Sequence, residues 1–295
     1  MRLKLFLLFS LLLLIFLSQT FSQNTRQWIA HAAGTYKNSN SGASAITVDR
    51  SGNIFVTGWV TNTVTGIDIV TIKYSPDGEE KWRAYYNSAT NMADKGKAIA
   101  VDTAKNVYVT GTSAVSGSGL DYITLKYDSS GNLLWATPPR YNGPGNGDDQ
   151  PSAIAVNDSL NVFLTGWSKG SGTGYDYATL KYNSAGLLLW EKRYNGPANG
   201  TDSALAMTLY RNTDLFVTGT SVDSGYDYFT IKYNPSTGDS LWGARYNGTG
   251  LRNDIARSIV RTSAGDVILT GGSQNAAGDY DYATMRYTSA GVQQW

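Results

Sequence analysis

Short apolar runs, each bounded by glycine, asparagine or aspartate, follow one another along most of this chain. No apolar stripe of helical period persists beyond the first residues. The runs come in a fixed order of four. A small apolar run such as Ala98-Ile99-Ala100-Val101 is followed by an alternating, β-branched and aromatic one, Asn106 to Gly111. A third runs from Asp121 to Tyr127 and a fourth passes through Leu133-Leu134-Trp135. Each has strand length and strand composition, so the pattern predicts an all-β chain built from a four-stranded antiparallel unit.

The unit recurs. A strand ending in Thr-Gly or Gly-Gly places Gly58, Gly111, Gly166, Gly219 and Gly271 at spacings of 53, 55, 53 and 52 residues. A segment of the form D-[YI]-x-T-[ILM]-[KR]-Y begins at Asp68, Asp121, Asp176, Asp227 and Asp281. A tryptophan closes each unit at Trp82, Trp135, Trp190, Trp242 and Trp295. The 55-residue gap has a visible source, because Pro138 and Pro139 lengthen the stretch between Trp135 and Tyr141. Glycine recurs in the turn between third and fourth strands (Gly78, Gly131, Gly186, Gly238, Gly291), where a tight turn needs positive φ. The first-to-second turn ends in Asn53, Asn106, Asn161, Asp214 and Asp266, expected to carry the left-handed conformation there.

Four antiparallel strands repeated at this period predict a β-propeller of five visible blades, about residues 43–83, 96–136, 151–191, 203–243 and 256–295. The small inner strand suits the crowded axis, and the fourth-strand tryptophan suits the wider space between the outer parts of neighbouring blades. Segments such as AIAVDTAKNVYVTG from Ala98 and DYATLKYNSAGLLLW from Asp176 resemble the SBBP (β-propeller) repeat over essentially all of residues 28–295. The resemblance implies an exported or cell-surface protein of bacterial or archaeal type, and it implies nothing about chemistry.

The first residues read differently. Arg2 and Lys4 precede an apolar stretch from Leu5 to Leu17, with Thr20 and Ser22 placed for cleavage before Gln23. This is the order of a secretory signal spanning residues 1–22, too short in its apolar part to cross a bilayer as an anchor. The mature chain is therefore expected outside the cell or on its surface, without a membrane span. Its 22 basic and 23 acidic residues leave a net charge of about −1, with no basic field for nucleic acid. No cysteine is present, so packing and strand pairing must supply the stability.

Residues 23–42 hold one strand too many. Trp28 lies 54 residues before Trp82, in register with the closing tryptophans, and predicts a fourth strand of closing type. Six such tryptophans against five sets of the other strands predict an incomplete ring, with further blades or domains beyond residue 295. A five-bladed ring closed without strand exchange is the alternative.

Loops from fourth to first strand and from second to third share one face of a propeller, and here both sets are long. Binding is expected on that face, around Tyr141, Asn142, Tyr194, Asn195, Tyr246 and Asn247. Asp149, Asp202 and Asp254 (with Asp94, and Ser41 in the first copy) precede each first strand and are the remaining candidates. Their recurrence favours bonds to their own loops over a cation. His31 is the sole histidine and stands outside any cluster, so neither a metal centre nor a Ser–His–Asp set is expected, and no cofactor. The reading is a non-catalytic scaffold for a protein, peptide or glycan partner. Alternatives are a structural spacer of a larger surface protein, a quinoprotein dehydrogenase (suggested by Thr237 to Trp242 alone) or a carbohydrate-active enzyme.

Overall fold

The computed structural model describes residues 28–31 and 39–295, so the predicted signal segment and most of the predicted leading strand lie outside the described residues. Regular structure among the described residues is all strand. Blade 1 comprises β1 (Ser41–Val48), β2 (Ile54–Asn62), β3 (Gly66–Tyr74) and β4 (Glu80–Tyr86). Blade 2 comprises β5 (Asp94–Val101), β6 (Val107–Val115), β7 (Gly119–Tyr127) and β8 (Arg140–Tyr141). Blade 3 holds β9 (Asp149–Val156), β10 (Val162–Lys169), β11 (Tyr175–Tyr182) and β12 (Leu188–Tyr194). Blade 4 holds β13 (Ser203–Tyr210), β14 (Asp214–Val222), β15 (Tyr226–Tyr233) and β16 (Ser240–Tyr246). Blade 5 is a three-stranded sheet of β17 (Asp254–Arg261), β18 (Val267–Gln274) and β19 (Tyr280–Tyr287).

Every sheet is antiparallel in chain order. The first strands form the inner row, β1 beside β5, then β9, β13 and β17, and β1 and β17 do not adjoin in the same way. The series is therefore an open one.

The apolar core lies between the blades. Tyr108, Tyr122, Trp135 and Tyr141 of blade 2 meet Val162, Leu164, Leu180 and Tyr182 of blade 3. The same positions repeat between blades 1 and 2, 3 and 4, and 4 and 5. Period-two alternation thus sends one row of each sheet to the blade before it and the other to the blade after.

The outer tryptophan is the joint between blades. Trp82, Trp135, Trp190 and Trp242 each donate their indole N–H to a turn carbonyl of the next blade, at Ser129, Ser184, Pro235 and Ser289. The ammonium groups of Lys73, Lys126, Lys181 and Lys232 donate to those same four carbonyls. Each indole also lies where a Cβ on the next turn glycine would stand, 2.8 Å away in the case of Trp82 and Gly131. That glycine answers two demands, the positive φ of +88° and the approach of the ring.

Three expectations need correction. The left-handed residue of the first turn sits one place earlier than expected, at Gly52, Lys105, Leu160 and Gly265, and at Arg211 in blade 4. Asn53 and Asn106 serve instead through their side chains, which donate to Asp49 and Asp102. In blade 2 the run through Trp135 is no continuous strand. Only a bridge at Leu133 precedes Arg140–Tyr141, because two prolines without N–H groups and two extra residues interrupt the pairing. In blade 5 the residues up to Trp295 make a bridge from Gln293 to Tyr287 and bonds to Arg286, not a full outer strand. Trp28 belongs to no strand among the described residues, yet its ring stands over Gly78 and 5.7 Å from Tyr74. That is the seat the other tryptophans take on the blade that follows them.

Candidate functional site

The loops of the two predicted sets do lie together. The Asn146 side chain donates to the Gly117 carbonyl, and the Leu120 N–H donates to Asp148. Gly174 N–H donates to the Asn199 carbonyl, and Asp202 N–H to that of Tyr175. One rim therefore carries both long loops, and the opposite rim carries the tight turns.

Of the nine predicted residues, the structure brings three to the surface. Asn142, Asn195 and Asn247 are exposed, and the first two close their own loops by donating to Asn146 and Asn199. Asn146 and Asn199 accept this role with positive φ, which asparagine tolerates.

The tyrosines turn inward. Tyr141 is buried 5.3 Å from the Tyr122 ring, Tyr194 stacks at 4.1 Å on Phe229, and Tyr246 lies 5.5 Å from Tyr228. Burial pushes the Tyr141 phenol well up, and its donation to Glu191 adds to that. An arginine of the next blade reaches each of the first two hydroxyls. Arg193 donates to Tyr141 at 2.7 Å, to Ser168 and to Asp176 at 2.8 Å. Arg245 donates to Tyr194 and to Asp227.

The three aspartates are wholly buried. Asp149 accepts the N–H of Gly143 at one oxygen and that of Lys169 at the other, so it ties the two loops of its blade together. Asp202 does the same with Gly196 and Val222, and Asp254 accepts from Gly248. Burial raises the carboxyl of Asp149 above its ordinary 3.8, against the lowering effect of those bonds. A carboxyl raised in the folded chain holds its proton to higher pH than in the unfolded chain. Its contribution then favours folding as pH falls toward 3.8 and disfavours it as pH rises. Asp94, Asp121, Asp202 and Asp227 are raised by burial in the same direction. We expect Asp149→Asn to flatten this dependence. Urea melts at pH 4.5 and 7 should show wild type gaining more stability on acidification than the variant.

Sequence reasoning missed one recurrent feature. Each inner strand carries a β-bulge near its loop-face end, centred on Ser44, Lys97, Ser152, Leu205 and Arg257. The bulge throws a carbonyl against the glycine of the Thr-Gly pair, so that a Cβ on Gly111 would lie 2.1 Å from the Lys95 oxygen. The glycine landmark was the available signal. Its cause, the bulge, required the pairing register.

The bulge residue varies in chemistry among the copies, from serine to lysine, leucine and arginine. Lys97 is half-buried, and among the described residues it has no hydrogen bond or ion pair. Burial lowers its ammonium from the usual lysine range, and neighbouring Lys95 lowers it further. Lys95 lies 5.2 Å from the centre of the Trp59 ring. The described residues include no group of three or more acidic, histidine or cysteine side chains placed to hold a metal, and His31 is exposed. No helix among them is long and apolar enough to cross a membrane.

Comparison with known proteins finds distant likenesses. An uncharacterized WD repeat-containing protein of Acanthamoeba polyphaga mimivirus is 24% identical over 246 residues, 70% of this chain but only 16% of that protein. Among solved structures, the beta-propeller domain of the Trilobed protease of Pyrococcus furiosus, described as having an open velcro topology, is similar with a TM-score of 0.49. It is 7% identical, over 85% of this chain and 70% of that one. Bacillus subtilis levansucrase is similar with a TM-score of 0.48 at 11% identity, over 85% of this chain and 84% of its own. Residues 81–117, from the outer strand of blade 1 to the second strand of blade 2, match the family model described as SBBP, beta-propeller repeat. That stretch is one turn of a pattern whose pairing recurs from blade to blade, and the chain is a beta-propeller repeat protein that carries a match to the SBBP repeat at residues 81–117.

Proposed function

We propose that this protein is an exported, non-catalytic scaffold that binds a protein, peptide or glycan on its long-loop rim. The observation that carries the reading is the inner-strand bulge, a fixed backbone device that holds serine in blades 1 and 3 but Lys97, Leu205 and Arg257 in the others. Bulges re-aim side chains beside functional sites, and a position that departs from the repeat is free of the repeat's structural duties. Lys97, half-buried with no partner among the described residues, gives the rim a cation to offer an anionic group. The recurring carboxylates Asp149 and Asp202 are committed to backbone donors at both oxygens, which supports binding over general acid–base work. The apolar leader of residues 5–17 supports export.

The test is a screen of residues 23–295 on glycan and peptide arrays, followed by the double variant Lys95→Gln/Lys97→Ser. We expect an anionic binder whose affinity falls about tenfold or more in the double variant, as for loss of a charge-assisted contact. The melting temperature should hold. Binding that the double variant leaves intact would refute the rim assignment.

A further inference from the structure

Most side chains of a blade recur from copy to copy, so a residue that breaks the repeat is released from the shared work of building it. Several such residues meet between the outer parts of blades 3 and 4. Lys192 of β12 pairs with Thr179, at the register where Ala84 and Ala244 pair with Thr71 and Thr230. Gly243 of β16 stands where β4 has Arg83 and β12 has Glu191. Phe229 of β15 takes the place of Val70, Ile123, Ala178 and Ala283, opposite the glycine of the second strand. Asp239, three residues before its tryptophan, answers to Leu187 in blade 3.

These residues line one hollow of about 380 Å³ between the two blades. Gly243 opens it, because the arginine or glutamate side chain of the other outer strands is missing there. Only glycine suits the position, since a Cβ would stand 2.9 Å from the Phe229 ring. The buried Ile231 and Tyr233 and the half-buried Phe229 give the hollow an apolar floor. Lys192, Asp239 and Ser240 give it a polar mouth. There the Lys192 ammonium lies 3.4 Å from the Asp239 carboxylate, with the two side chains 36% and 69% exposed. Both blades carry all four strands, so the fold itself bounds the hollow on either side.

We propose that this hollow binds a neutral sugar ring, one hexopyranose unit. A pyranose sets an apolar C–H face against the floor and leaves its hydroxyls at the mouth. Those hydroxyls both donate and accept, and the mouth answers them in kind. The ammonium donates, the carboxylate accepts and the Ser240 hydroxyl does either. The ion pair carries no net charge. An anionic ligand would meet Asp239 and a cationic one Lys192, and like charges brought together select against both. The volume lies at the low end of the roughly 300–1,000 Å³ of small-molecule sites, which suits a single ring. The hollow adjoins the tight turn at Gly238, so the inference is independent of the long-loop rim.

Saturation-transfer NMR of residues 23–295 with the methyl pyranosides of glucose, galactose and mannose tests this, with methyl glucuronide as the charged comparison. At least one neutral glycoside should bind with a Kd on the order of millimolar, and more tightly than the glucuronide. The double variant Lys192→Ala/Asp239→Leu installs the residues that Ala84, Ala244 and Leu187 supply in other outer strands. It should therefore keep the wild-type melt while weakening the glycoside about tenfold or more. Lys95→Gln/Lys97→Ser, on the long-loop rim, should leave glycoside binding unchanged, which separates this site from that one. Four results would overturn the proposal: no transfer to any neutral glycoside at about 10 mM, binding that survives the hollow variant, binding lost in the rim variant, or tighter binding of the glucuronide.

Discussion

Gly166→Ala should cost the protein more than about 4 kcal/mol, enough to lower the melting temperature by roughly 10 °C or more. The added Cβ would stand 2.2 Å from the Gln150 carbonyl oxygen, 2.5 Å from the Tyr122 hydroxyl and 2.7 Å from the Pro151 Cα. Two of these three are backbone atoms fixed by the bulge in β9, and the third is a side chain locked between blades. None can swing aside, so the inner strand must part from its neighbour. Thermal melts of the variant beside Gly172→Ala make the comparison. Gly172, unlike Gly166, has positive φ (+82°), but nothing lies within 4 Å of its would-be Cβ. The loop variant should lose only the 1–2 kcal/mol of left-handed strain.

Arg193→Met should lose about 3–5 kcal/mol, the cost of stranding a buried charge. Arg193 joins three partners that come from two blades: Tyr141, Ser168 and Asp176. Without it, Asp176 keeps only the Thr173 hydroxyl on its paired oxygen and faces Asp202 across the blade interface. Adding Asp176→Asn to the variant removes the stranded charge and should restore part of the loss, a coupling that a double-mutant cycle by urea melts would read.

Both predictions rest on residues that repeat, and repetition is what made the fold legible. Period-two runs, turn glycines and closing tryptophans specified blade, strand order and interblade packing, because each reflects a local steric or burial demand. The loops of one rim were legible for the same reason. Local pattern could not show which side chains turn inward. Tyr141 and Tyr246 sit beside loop glycines in the sequence but pack on a third-strand tyrosine of their own blade, and Tyr194 stacks on Phe229 of the next. Nor could it show the bulge, since Lys97 and Ser152 look like ordinary members of an inner strand until the register places them out of step.

In the proposed division of labour one rim binds while the rest of the repeat builds blades. Hydrogen exchange of residues 23–295, with and without a ligand from the arrays, tests it most directly. The account predicts slowed exchange at residues 94–97, 117–120 and 142–149, which share the long-loop rim, and unchanged exchange at the tight turns 49–53, 102–106 and 128–132. Protection confined to the tight turns would contradict it.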